Sequence, residues 1–241
     1  MSDPQGAISL TETLAAFISK AGFENLSPAA LRSGKMAIAD CVGCMLAGSA
    51  TDTAAKVRSV VKGNLGRRAA TLLGQGGKVP VPDAALVNGV AGHALDYDDI
   101  NWSLCGHPSV VMLPAALAVA ETEGRSGRDL LTAYAVGVEV AAKLGRFANP
   151  THYGSGWHAT ATVGVIGAAA AVAKLLGVPE QRVVMALGIA ASQAAGLRRN
   201  FGSMTKPLHA GNAARAGVTA AQLAHCGFTA DRRALEGHGG W

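Results

Sequence analysis

The chain has 241 residues, enough to bury one substantial core, and 49% of them are hydrophobic while aromatics supply only 5%. Alanine and leucine dominate the apolar stock; this favours close-packed helices, because alanine loses no side-chain entropy in a helix whereas strands favour β-branched and aromatic residues. The net charge of +5, from 21 Lys+Arg against 16 Asp+Glu, comes without a dense basic block interleaved with aromatics, so nucleic acid is excluded as the expected partner in favour of a small anion.

Read from the start, MSDPQGAISLTETLAAFISKAG lacks a basic segment leading into an apolar run and a cleavage site, and reads as a first helix rather than an export signal. Apolar periodicity near 3.6 predicts helices over residues 9–21, 28–47, 51–64, 83–95, 110–122, 127–147, 156–175, 179–194, 210–225 and 230–236. Pro82-Asp83, Ser126-Gly127 and Pro179-Glu180 supply start signals. Within the second helix, Cys41 and Cys44 form a CxxC, but it lies inside an apolar run with no second pair, so both read as small buried side chains rather than a redox or zinc site. Residues 69–81, AATLLGQGGKVPV, mix a strand-like run with a glycine-rich turn and predict a small extended excursion; their glycines do not match a nucleotide loop. The uncharged stretch 159–173 is too short for a persuasive membrane crossing. With no repeat and no linker, residues 1–241 are expected to form a single all-α domain of many helices, soluble and cytoplasmic.

Three connections carry unusual chemistry: 96–109, 148–158 and 198–209. Loops on a rigid scaffold are where catalysis usually sits, and these three are expected to meet at one cleft. In HALDYDD, Asp96 follows the end of a helix with His93 one turn behind, and Asp98 and Asp99 come next. Three carboxylates this close repel, so a raised pKa or a paired cation is expected, which suits a general base or acid; capping of helix ends is the plainer alternative. His107 precedes Pro108 and a helix start, a cradle for a carboxylate that tends to keep imidazole neutral. Cys105 lacks an activating partner and reads as structural. His158 falls at the start of an alanine-rich helix, either as a site residue or as a core histidine bonded to backbone, and His152 and Tyr153 are weaker candidates. Lys206 stands before Pro207 close to a new helix; an inward amine suits a dicarboxylate, and His209, Asn212 and Arg215 follow at helical spacing to orient it or bind a second carboxylate. HExxH and similar metal motifs are absent from the sequence, and no metal is expected.

The segments KMAIADCVGCMLAG, PDAALVNGVAGHALDYDDIN, GHPSVVMLPAALAVAE, LGIAASQAAGL, TKPLHAGNAARAGVTAAQLAHCGFTA and ALEGHGGW, in this order along the whole chain, resemble the MmgE/PrpD family. The resemblance implies a catalytic set of Asp96, His107, His158 and Lys206 and a helical fold lacking the family's α/β lid domain. Ile100 replaces the family's usual hydroxyl after the DD pair. The implied activity is a hydro-lyase: a dehydratase of a small hydroxy-polycarboxylate such as 2-methylcitrate, working by alpha-proton abstraction without a cofactor. Decarboxylation or epimerisation of a related acid, or a non-catalytic helical subunit, are the alternatives. Because family members run to about twice this length, the chain is expected to be inactive alone, either as a truncated coding region or as the partner of a separately encoded lid-domain chain. The resemblance also implies a homodimer; no membrane partner is expected.

Overall fold

Hydroxyl side chains start the early helices. Ser9 accepts the Glu12 N–H, Ser27 that of Ala30 and Thr51 that of Ala54, each satisfying an otherwise orphaned donor. The computed structural model describes residues 9–64, 66 and 69–241. Helix α1 spans Leu10–Lys20, α2 Pro28–Gly48 and α3 Asp52–Val61. A minimal hairpin follows, β1 (Ala70–Thr71) pairing antiparallel with β2 (Lys78–Val79), within the one stretch whose composition predicts extended chain. Then come α4 (Val81–His93), α5 (Ser109–Thr122) and α6 (Gly127–Ala148), the last opened by a reciprocal Ser126–Asp129 capping box. These six helices fall within a few residues of their predicted spans.

The second half of the chain departs from prediction in three places. The expected helix 156–175 is broken: a single turn α7 (Thr151–Gly154) ends before Gly156, whose φ of +98° is not helical. His158 then caps a short α8 (Ala159–Thr162), and α9 (Gly164–Leu176) follows with Val163 at the junction. Helix α10 (Glu180–Ala191) is as expected but ends earlier, and α11 (Thr205–His225) begins five residues before the predicted 210. Pro207 sits in the first turn of α11, where a missing N–H leaves no hydrogen bond unmade. Residues 230–236 form turns instead of a helix, because Asp231 turns its carboxylate onto the Arg233 N–H at 2.8 Å and competes with helical pairing.

The run Ala159–Leu176 is long and apolar enough to cross a membrane by length and composition, yet 89% of it is buried among the other helices, which makes it the core of this domain. Around it pack α5, α6, α10 and α11. Cys41 and Cys44 lie buried as free thiols in α2, and burial pushes both up, as their structural reading expects.

Helices α4 and α11 make the contact that fixes the site. A Cβ on Gly89 would lie 2.8 Å from the Gly211 Cα, and a Cβ on Gly211 would lie 2.4 Å from the Leu86 carbonyl oxygen. The two backbones therefore touch, which no larger residue permits. This crossing aligns the C-terminal end of α4, carrying His93, with the N-terminal turns of α11, carrying Lys206 and His209. Gly211→Ala is expected to destabilise the chain by about 1–3 kcal/mol through overpacking. Gly43→Ala, on α2 with nothing within 4 Å of the added carbon, is expected to be neutral or mildly stabilising. Thermal unfolding of the two variants side by side checks this; equal midpoints would show that the crossing tolerates a methyl group.

Candidate active site

The segment after α4 folds back on itself. Asp96 takes up a left-handed conformation, φ +57°, which aspartate tolerates better than most residues, and its N–H reaches back to the His93 carbonyl. This turn separates the three carboxylates that the sequence crowds together. Asp96 stays 56% exposed and takes the Lys206 ammonium at 2.6 Å; Asp98 points inward with a fully buried side chain; Asp99 swings toward α5. Asp99 accepts the backbone N–H of Ser109 at 3.2 Å and its hydroxyl at 2.7 Å, so it caps α5, the plainer of the roles considered for these acids. The Ser109 hydroxyl in turn lies 2.6 Å from that of Tyr134. Burial pushes Asp99 up, only partly offset by those Ser109 bonds, and burial likewise raises Tyr134.

Two imidazoles converge on Asp98. His93 Nδ1 lies 2.9 Å from it and His107 Nδ1 3.0 Å. Burial alone would raise the Asp98 carboxyl, but the attraction of His107 and His93 outweighs it and brings the value down to about 2. His107 is pulled down by burial and, to a smaller degree, by Lys206; Asp98 and then Asp96 outweigh both and leave it raised. This reverses the expectation of a neutral His107 at a helix start, because a buried carboxylate at 3.0 Å outweighs a helix dipole.

Across the cavity His158 behaves in the opposite sense. It is 2% exposed, and its backbone N–H donates to the Gly196 carbonyl at 3.0 Å while its ring Nδ1 sits 3.1 Å from His209 Nδ1. Burial first, then the neighbouring His93, His209, Lys206 and His107, drive it down to about 2, and burial lowers His209 as well. Thr160 ties α8 to the loop by accepting the His107 N–H at 3.0 Å.

Between these groups lies a cavity of about 220 Å³ lined by Ile100, Trp102, Cys105, Gly106, His107, Tyr153, His158, Thr160, Phe201 and Lys206. All three predicted loops thus contribute to one site, with Asp96 joined to it through Lys206. Its volume suits a small acid. Larger hollows exist, one of about 910 Å³ between α10 and the C-terminal turns, but the imidazoles of His107 and His158 and the Lys206 ammonium line the smaller one. Its apolar walls, Ile100, Trp102 and Phe201, leave Lys206 as the permanent cation at its edge. His93, Asp96, Asp98 and His107 also bring one donor atom each within 4.8 Å of one another, the spacing a metal ion needs. Here the Lys206 ammonium already sits on Asp96 and both imidazole Nδ1 atoms face Asp98, so the cluster neutralises its own charge.

Of the residues expected to bind substrate, His209 backs His158, while Asn212 and Arg215 are placed elsewhere. Both are exposed and line a separate groove with Gln193 and Thr219, and Arg215 lies 3.8 Å from Asp83 at the start of α4. The reason is helical geometry: with α11 beginning at Thr205, nine residues at about 100° each turn Arg215 to the opposite side from Lys206, about 14 Å along the axis. His152 lies 2.6 Å from Thr162 in a different aromatic hollow with Trp157 and Trp241. Cys105 lines the cavity at φ +57° in a turn closed by the Asn101–Gly106 bridge. Sequence reasoning missed His93 and Asp98 as a unit; the available signal was two imidazoles either side of the same acidic turn.

The sequence model of the MmgE/PrpD N-terminal domain matches residues 12–241. The chain is 36% identical over 237 residues to a cis-aconitate decarboxylase of Homo sapiens, covering 95% of this chain and 48% of that protein. It is 35% identical over 234 residues to one of Mus musculus, with 95% and 48% covered, and 30% identical over 245 residues to one of Aspergillus terreus, with 97% and 49% covered. The chain spans about half the length of the curated relatives it matches. Matched over nearly its whole length and folded as a bundle of helices, this chain belongs to the MmgE/PrpD family as its N-terminal domain.

Proposed function

We propose that the protein is a cytoplasmic lyase that decarboxylates a small unsaturated polycarboxylic acid of the cis-aconitate type, with Asp96, His107, His158 and Lys206 at the reacting centre. The observation that carries this reading is the opposite drive on two imidazoles across one cavity, His107 raised and His158 lowered to about 2, beside the Lys206 ammonium. Environments that push two titratable groups apart assign the acid and the neutral partner.

In the proposed reaction the bond between carbon and the departing carboxylate breaks and carbon dioxide leaves. The electron pair passes into the adjoining double bond and the carboxylate conjugated with it. Lys206, shared with Asp96, holds that carboxylate and stabilises the developing charge. Imidazolium at His107 delivers a proton to carbon and is recharged from water. His158, neutral throughout the working range, offers a hydrogen bond without adding charge. Dehydration of 2-methylcitrate proceeds through a related carbanion; decarboxylation takes precedence because the relatives carry that name. A lid-bearing second half and a homodimer complete the proposal. The apolar Met36, Val60, Trp102 and Phe147 exposed on this domain supply surface to be covered, and four free cysteines suit a reducing compartment.

The protein completed to the relatives' length is expected to release carbon dioxide from cis-aconitate, and the 241-residue chain alone to release none measurable. His158→Ala in the completed form is expected to lose about 10² to 10³ in rate. Turnover of 2-methylcitrate but not cis-aconitate would reassign the reaction, and robust turnover by the chain alone would remove the need for a second half. Because His107 acts charged, kcat/KM is expected to hold at low pH and fall as pH rises through its raised pKa, above the usual 6.5. A profile rising through that range would assign His107 as base instead. Light scattering is expected to show twice the chain mass, and a monomer at tens of micromolar overturns the homodimer.

A further inference from the structure

Asp98 lies beneath the cavity with its side chain fully buried and does not line it. Its two neighbours differ in what lies behind them. An ionised carboxylate accepts hydrogen bonds and cannot donate, so each Nδ1 turned toward it carries a hydrogen. For His93 the other nitrogen, Nε2, is buried with no hydrogen-bond partner among the described residues. A second proton there would be an N–H without an acceptor, whereas a bare lone pair is the cheaper state. For His107 the order is reversed. Its Nδ1 is buried 3.0 Å from Asp98 Oδ2, an ion-pair contact that is not aligned as a hydrogen bond but leaves Asp98 as the acceptor in reach, while its Nε2 lies 3.9 Å from the exposed Asp96. The charged and titratable groups acting on His107 are therefore Asp98 and His93 from below, Asp99 beyond them, Asp96 and Lys206 at the mouth, and His158 across the cavity.

We propose that Asp98, held in turn by the Nδ1–H of His93, is a positioning residue that locks the His107 ring with Nδ1–H inward and Nε2 toward the cavity. Nε2 is then the one nitrogen of His107 that exchanges a proton with a bound acid. His93 acts one step further back: its buried ring, 4.6 Å from that of His107, keeps the Asp98 carboxylate from turning to follow His107 when the latter gives up its proton. Carboxylate-oriented histidines elsewhere work by the same logic, in which the group behind the ring sets its tautomer.

The inference rests on the geometry below the cavity and needs no substrate, so it can fail or hold independently of the decarboxylation reading. Side-chain ¹⁵N–¹H correlation spectra of the 241-residue chain with labelled histidine read the tautomer directly, with the His107 signals assigned by their loss in His107→Gln. In the wild type, raising the pH is expected to leave neutral His107 with its hydrogen on Nδ1. Asp98→Asn is expected to shift His107 toward the Nε2–H form and lower its titration by at least about one pH unit, a tenfold change in proton affinity. Asp98→Glu is expected to restore Nδ1–H in part, which a merely space-filling role would not predict. A wild-type His107 in the Nε2–H form overturns the proposal even if Asp98→Asn fails to fold. An unchanged tautomer in a folded Asp98→Asn overturns it as well.

Discussion

Two helix backbones in contact, α4 against α11 at Gly89 and Gly211, set the position of every group in the site. The helices meet largely backbone to backbone at these glycines, so the distance from the His93 end of α4 to the Lys206 turn of α11 is set mainly by main-chain sterics. From that frame the loop after α4 has only to fold back once, through the left-handed Asp96, to bring a carboxylate onto Lys206 and another beneath His107. The third arm arrives through α8, which is anchored to the same loop by Thr160. Positional precision of this kind comes from rigid elements, with loops serving as short bridges between them.

The electrostatics follow from which partner each buried ring meets. Desolvation acts on His107 and His158 alike and disfavours the charged form of both. His107 has Asp98 within 3.0 Å and gains more from it than burial takes away; the groups that act on His158 are other imidazoles and an ammonium, so they add to burial. One carboxylate, placed on one side of the cavity, thus produces two histidines of opposite character. The pairing of Lys206 with Asp96 belongs to the same balance, since an unpaired ammonium at the mouth would lower both rings further.

The helices were legible wherever caps and a 3.6-residue period agreed, as at Ser126–Asp129 and Ser27-Pro28. They were misread where local chemistry competes with the period: at Gly156, where positive φ breaks an alanine-rich run, and at Asp231, where a side chain captures a backbone N–H. The early start of α11 had the largest consequence, because it converts spacing into direction and sends Arg215 to the far side from Lys206. Asp96, His107, His158 and Lys206 were singled out by their odd settings beside prolines and helix ends and by the family likeness. His93 and Asp98 escaped because their pairing runs from the last turn of a helix into the loop beyond it, and no period describes a chain reversal.

Where His158 and His209 face each other nitrogen to nitrogen at 3.1 Å, there is room for a single hydrogen. When one neutral ring donates from Nδ1 the other must accept there, and so the far nitrogens of the two neutral rings are complementary. The ring of His209 is out of the cavity, yet it records the state of the one that lines it. A change of tautomer at His158 is therefore a change of tautomer at His209 as well, and α11 registers at His209 which nitrogen of His158, at the start of α8, carries the hydrogen.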